Sequence, residues 1–139
     1  VEVGTNQMHP TLKNNPKVEL HEKTDIRDFV RSSEGVYLGI HLVVIDVSFV
    51  SLRDILPFVA KMISENTWVV AMAKPQFEAI NSGQKHKGVI KNDKIRREIL
   101  KDFENWTQNL FKIVSKEDSL ITGQKGNKER FYLLRLLNK

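Results

Sequence analysis

The residues of this sequence best suited to chemistry are an aspartate and a lysine, each closing an apolar run. Residues 40–45 are apolar but for His41 and stop at Asp46, the first residue of DVSFVSLRDILP. Twenty-eight residues further on, WVVAMA stops at Lys74, the first residue of KPQFE. If the two runs are neighbouring strands, carboxylate and ammonium fall within ion-pair distance. Such a pair has two readings. It fixes the rim of a sheet and does nothing more, or Asp46 orients a partly desolvated Lys74 that acts as a general base. Glu129, at the start of the last apolar run, reads as a third member of the set or as a solvated carboxylate after a Gly-Asn turn. Pro75 biases Lys74 to extended backbone and ends its strand sharply. Ser48 reads as an alternative helix cap, and Phe49 as core or lid rather than as a stacking platform.

The elements that must position these side chains follow from periodicity. Residues 40–46 and 67–73 are near-continuous apolar strands, as expected for a parallel sheet covered on both faces. Between them Leu52, Ile55, Val59 and Met62 or Ile63 recur at helical steps behind a Ser51 cap, with Pro57 predicted to kink the helix or delay its start. Ile95, Ile99, Phe103 and Trp106 give a second helix, capped by Asp93 and running to about residue 107. Residues 110–116 and 129–137 are strands joined without a helix, so they pair antiparallel. Upstream, Val1–Val3 and Val18–Lys23 read as strands, residues 6–15 as a short helix or turn, and residues 25–29 as a helical turn capped by Thr24 or Asp25. Residues 75–92 form one long loop. Strands alternating with helices predict a doubly wound α/β sheet, which binds ligands beyond the carboxyl ends of its strands. Asp46 and Lys74 stand at two such ends.

Composition narrows the chemistry. The chain has 139 residues and no cysteine, which excludes disulfides, thiolate metal sites and cysteine nucleophiles. The zero fits a reducing compartment. No apolar run approaches the ~18 residues of a membrane span, and no signal-peptide pattern opens the chain. Net charge is +5, and residues 85–101 alone, with seven basic and two acidic side chains, carry as much. That segment reads either as a polyanion-binding patch or as a solvated helix face.

DVSFVSLRDILP, AKPQFE, KGVIKND and ITGQKGNKE, in this order, resemble the TlyA family, known as haemolysins and ribosomal RNA methyltransferases. That family lies within the FtsJ-like S-adenosylmethionine-dependent RNA 2′-O-methyltransferases. The resemblance covers nearly the whole chain and implies a Rossmann-like methyltransferase sheet with a last antiparallel strand, in a cytoplasmic protein. It further implies a Lys-Asp-Lys-Glu set, whose last three members are Asp46, Lys74 and Glu129. In it Lys74 helps to deprotonate a ribose 2′-hydroxyl while Asp46 and Glu129 hold the lysine, and no metal is needed. Ribosomal RNA is the implied partner; read from the basic segment, Lys85, Lys87, Lys91 and Arg97 are the expected contacts to it. Glu2, Asp25 and Asp46 are the implied contacts to S-adenosylmethionine.

Several departures qualify this. The first lysine of the set, the first strand and its Gly-rich loop would lie upstream of Val1, so the chain reads as an amino-terminally truncated domain over residues 1–139. Glu2 stands where the family has Asp, and Lys87-Gly88-Val89-Ile90 is one glycine short of the usual KGGVV. The expectation is a chain that does not bind the methyl donor tightly alone. Either another chain, a lost segment or an oligomer then supplies the missing strand, or the remaining strands are rearranged. The alternative function is a non-catalytic RNA-binding remnant. A membrane-lytic reading has only the family's historical name behind it.

Overall fold

The structure, a computed structural model, describes residues 1–32, 39–81, 83, 88–123 and 126–138. The chain divides into two compact units, 1–35 and 36–139.

The first unit holds two short helices, α1 (Pro10–Lys13) and α2 (Ile26–Ser32). Proline at the first position suits α1, because that amide has no helical partner. The two predicted strands do not form here. Residues 1–3 and 18–23 lack regular ladder pairing. They are linked by single backbone bonds, Glu2 N to His21 O (2.8 Å) and Thr24 N to Glu2 O (3.0 Å). The alternation in VELHEK is real, but among the described residues of this unit no continuous neighbour strand turns it into sheet.

The second unit is built on a four-stranded sheet. Its elements are β1 (Leu42–Ile45), α3 (Leu52–Met62), β2 (Trp68–Ala73), α4 (Pro75–Glu78), α5 (Asp93–Thr107), β3 (Phe111–Asp118) and β4 (Arg130–Leu136). Strand order is β1-β2-β4-β3. β1 and β2 run parallel with Ile45 beside Ala71, and both remaining pairings are antiparallel. The mixed α/β sheet and its antiparallel last strand are therefore as the sequence predicted. On one sheet face Val69, Ala71, Tyr132 and Leu134 are fully buried, together with Leu52, Leu56 and Val59 of α3 and Ile99 and Phe103 of α5.

Pro57 sits inside α3 without delaying it. Ser51 caps that helix through Arg53 N (3.1 Å), and five buried side chains hold it against the sheet. That packing outweighs the single helical bond proline removes. α5 is capped not by Asp93 but by Asn92, whose Oδ1 accepts from Lys94 N (2.9 Å) and Ile95 N (3.3 Å). Its buried stripe also shifts: Leu100 and Thr107 are inside, while Ile95 and Trp106 are half-buried. Trp106 lies instead between Phe103 and the Arg53 guanidinium. The predicted 75–92 loop contains the single turn α4, and residues 84–87 lie outside the described residues.

Candidate active site

Because β1 and β2 are parallel neighbours, the residues that follow them emerge side by side. Lys74 Nζ lies 2.7 Å from Asp46 Oδ1 and donates to Ser48 Oγ at 2.9 Å. The lysine side chain is 12% exposed and Asp46 61%. The cation is thus drawn into the protein surface while its carboxylate partner keeps one side open to solvent. Ser48 is not a helix cap; Ser51 takes that role and leaves Ser48 to the lysine.

The pair faces a cavity of about 710 Å³. Its lining includes the apolar Phe49, Phe77 and Ile80 and, from the approach to β4, Gly123, Asn127 and Glu129. Phe49 is neither core nor covered: it is 89% exposed, its backbone is left-handed at φ 65°, and its ring lies 5.3 Å from Phe77. A bulky side chain at positive φ is strained, a feature that clusters at functional sites.

Glu129 shares the cavity wall but makes no ion pair with Lys74 among the described residues. It is placed by its neighbours. A Cβ on Gly123 would stand 3.0 Å from Glu129 Oε1, so glycine is what lets this carboxylate lie where it does. The buried Asn127 side chain accepts from Ile90 N (2.9 Å) and donates to Gly88 O (2.9 Å), tying the 88–90 segment to the start of β4. Arg96 donates to Lys128 O (2.8 Å) and to Asp118 Oδ1 (2.7 Å), and Arg130 meets the same Asp118 oxygen at 2.6 Å. Burial alone would raise the Asp118 pKa. Hydrogen bonds and charge from Arg130 and Arg96 outweigh it and hold the carboxyl well below its ordinary value.

Glu78, the last residue of KPQFE, was not singled out by sequence reasoning. It is buried, and its carboxylate accepts from Ser51 Oγ (2.6 Å) and Leu52 N (2.7 Å). Burial pushes its pKa up, against the hydrogen bonds from Ser51 and Leu52 and the charge of Arg53. The signal available was an acid closing a proline-started turn, with no basic residue in the six positions that follow it.

Residues 1–136 match the family model described as FtsJ-like methyltransferase. The chain belongs to the FtsJ-like methyltransferase family. It is 37% identical to the 23S rRNA (cytidine-2′-O)-methyltransferase TlyA of Campylobacter jejuni, over 95% of this chain and 50% of that protein. It is 31% identical to the 16S/23S rRNA (cytidine-2′-O)-methyltransferase TlyA of Mycobacterium tuberculosis, over 96% and 50%. A solved structure named for hemolysin, from Streptococcus thermophilus, superposes with a TM-score of 0.84 at 32% identity, covering 99% of this chain and 50% of that one. The chain spans about half the length of these relatives.

Within this FtsJ-like chain the other predicted site residues fall as follows. Glu2 Oε1 accepts from Gly4 N (2.6 Å). Both Asp25 oxygens are taken by Arg27, at 2.9 Å from Nε and 2.6 Å from Nη2, and those bonds lower the Asp25 pKa. Lys91 and Arg97 are exposed, as are Lys94 and Lys101. Lys85 and Lys87 lie outside the described residues. Arg96, counted by sequence with the basic patch, is buried in the Asp118 network and is structural.

Proposed function

We propose that this chain is the carboxy-terminal part of a domain that methylates a ribose 2′-hydroxyl of ribosomal RNA, in the cytoplasm. The observation carrying this reading is the Asp46–Lys74–Ser48 contact set at two adjacent parallel strand ends, opening on a cavity that Glu129 also lines. In-line methyl transfer asks the protein chiefly to orient a hydroxyl and manage its proton. Lys74 is the group that meets the hydroxyl, and Asp46 and Ser48 fix its direction. Glu129 lines the same cavity. The exposed Phe49 ring, backed by Phe77, offers a face on which a nucleobase attached to that ribose can stack.

FtsJ-like methyltransferases use S-adenosylmethionine, which supplies the methyl group. The described residues do not fit a complete site for it. Asp25 is paired with Arg27 and Glu2 accepts from Gly4 N, and each of these acids keeps acceptor capacity of its own. β1 pairs only with β2 among the described residues, leaving its other edge open. A segment or partner chain that adds a strand there would complete the domain.

Titrating S-adenosylmethionine into this chain and into a version extended upstream to full domain length tests the reading. Binding by the extended form, with methyl incorporation into ribosomal RNA that Lys74→Ala abolishes, is the expected result. Methylation unaffected by Lys74→Ala would refute the assignment. The RNA-binding residues are tested separately. Neutralising Lys85, Lys87, Lys91 and Arg97 together should weaken RNA binding and flatten its salt dependence, by about 0.7–0.9 in log–log slope for each phosphate no longer neutralised. Unchanged affinity would make the segment an ordinary solvated face.

A further inference from the structure

Lys74 is held at both ends. Its Nζ meets Asp46 and Ser48. Its carbonyl accepts from the amides of Phe77 (2.8 Å) and Glu78 (3.2 Å), which start α4. The Glu78 carboxylate, 1% exposed, then crosses to the residues just beyond Ser48 and accepts from Ser51 Oγ and Leu52 N. These contacts close a ring: Lys74 side chain to Ser48, along the chain to Ser51, across to Glu78, and back through the Glu78 amide to the Lys74 carbonyl.

We propose that Glu78 is a positioning residue for Lys74, fastening the 46–51 turn to the 74–78 turn so that the ammonium meets Asp46 and Ser48 together. The proposal rests on the reading of Lys74 as the group that meets the ribose hydroxyl, and it names what holds that group. Helix capping alone does not explain Glu78. Ser51 already caps α3 locally through Arg53 N, so the second acceptor, 27 residues further along the chain, acts as a tether. A buried carboxylate is costly to keep and needs such hydrogen bonds to persist. The tethered turn also contains Phe49 at positive φ. A strained residue of this kind survives only when its surroundings over-determine it. The Asp46 ion pair at one end of the turn and the Glu78 tether at the other are that constraint.

The test reads Lys74 itself rather than catalysis. Amine acylation of the 139-residue chain, followed residue by residue in peptide mass spectra, gives the rate at Lys74 relative to exposed lysines such as Lys101. Glu78→Ala strands a buried hydroxyl and amide, and should raise the Lys74 rate by about fivefold or more. Glu78→Gln presents a carbonyl to Leu52 N and an amide to Ser51 Oγ, and should keep the wild-type rate. A folded Glu78→Ala protein with an unchanged Lys74 rate would overturn the proposal. So would a Glu78→Gln rate that rises as far as that of Glu78→Ala. If Glu78→Ala does not fold, Ser51→Ala takes its place, since it removes one strand of the tether and leaves Leu52 N. Ser51→Ala also removes the cap on Arg53 N; its Lys74 rate should rise by about twofold or more, and no rise would overturn the proposal. Failure of the wild-type protein to methylate RNA in the extended form would refute the reaction and leave this comparison standing.

Discussion

At the scale of single residues, the site depends on what is absent as much as on what is present. Gly123 leaves room for Glu129 Oε1, and its own backbone is not in the left-handed region. Gly123→Ala should therefore fold normally, because the crowded atom is the far end of a side chain that can move. The expected outcome is a displaced Glu129 and reduced methyl transfer in the extended domain, with a change in melting temperature of only a few degrees, corresponding to under ~1 kcal/mol. Activity equal to wild type would show that the position of Glu129 is not critical. Glu78 makes a prediction of its own through pH. Its native pKa is raised above 4.5, so its ionisation opposes folding once the pH exceeds that value. Glu78→Gln should be as stable as wild type at acid pH and more stable at neutral pH. Denaturant unfolding at the two pH values measures this, and a variant less stable at neutral pH would contradict it.

At the scale of elements, the start of β4 is fixed by an ionic network rather than by apolar packing. Asp118 on β3 receives Arg96 from α5 and Arg130 from β4, and Tyr132 donates to Glu104, which also receives Lys116. Burial raises the Tyr132 pKa above its ordinary value, and the adjacent Glu104 adds to the rise, so the phenol remains a donor. Asp118→Asn should cost about 2–4 kcal/mol at neutral pH, because a buried arginine is left without its counter-charge. The native Asp118 pKa lies below 3.8, so its stabilisation is complete above that value and fades as the pH falls from there through the native pKa. The stability gap between wild type and variant should narrow progressively below pH 3.8 in acid-range unfolding curves. A gap independent of pH would show that packing, not charge, holds this strand.

At the scale of the molecule, the open edge of β1 is the principal feature. Leu42 and Val44 are 54% and 68% exposed on a strand with one neighbour among the described residues, the arrangement that invites pairing with another chain. The isolated chain should self-associate with rising concentration, and Val44→Lys should suppress this in sedimentation experiments. A wild-type chain that stays monomeric throughout would show that this edge is protected. Among the described residues no helix is long and apolar enough to cross a membrane.

Much of this was legible in the sequence, and the reason is local. Apolar runs, helical spacing and a helix-free connection fix strand and helix identity through short-range physics, and so foretold both β1–β2 and the β3–β4 hairpin. The four motif segments named Asp46, Lys74 and Glu129 as candidates; the fold sets Asp46 against Lys74, while Glu129 lines the same cavity. Tertiary structure decided what depends on distant partners. VELHEK alternates, yet among the described residues no neighbouring strand runs beside it. Arg96 and Arg97 are adjacent in a basic run, yet one is buried against Asp118 and the other is solvated. Ser48 and Ser51 are equivalent as sequence, but only parallel pairing of β1 and β2 brings Lys74 to the first, and only the turn after Lys74 brings Glu78 to the second. Hydrogen bonds are short-ranged and directional, so a residue's type and spacing name what it can bond to, while the fold alone determines which partner comes within reach.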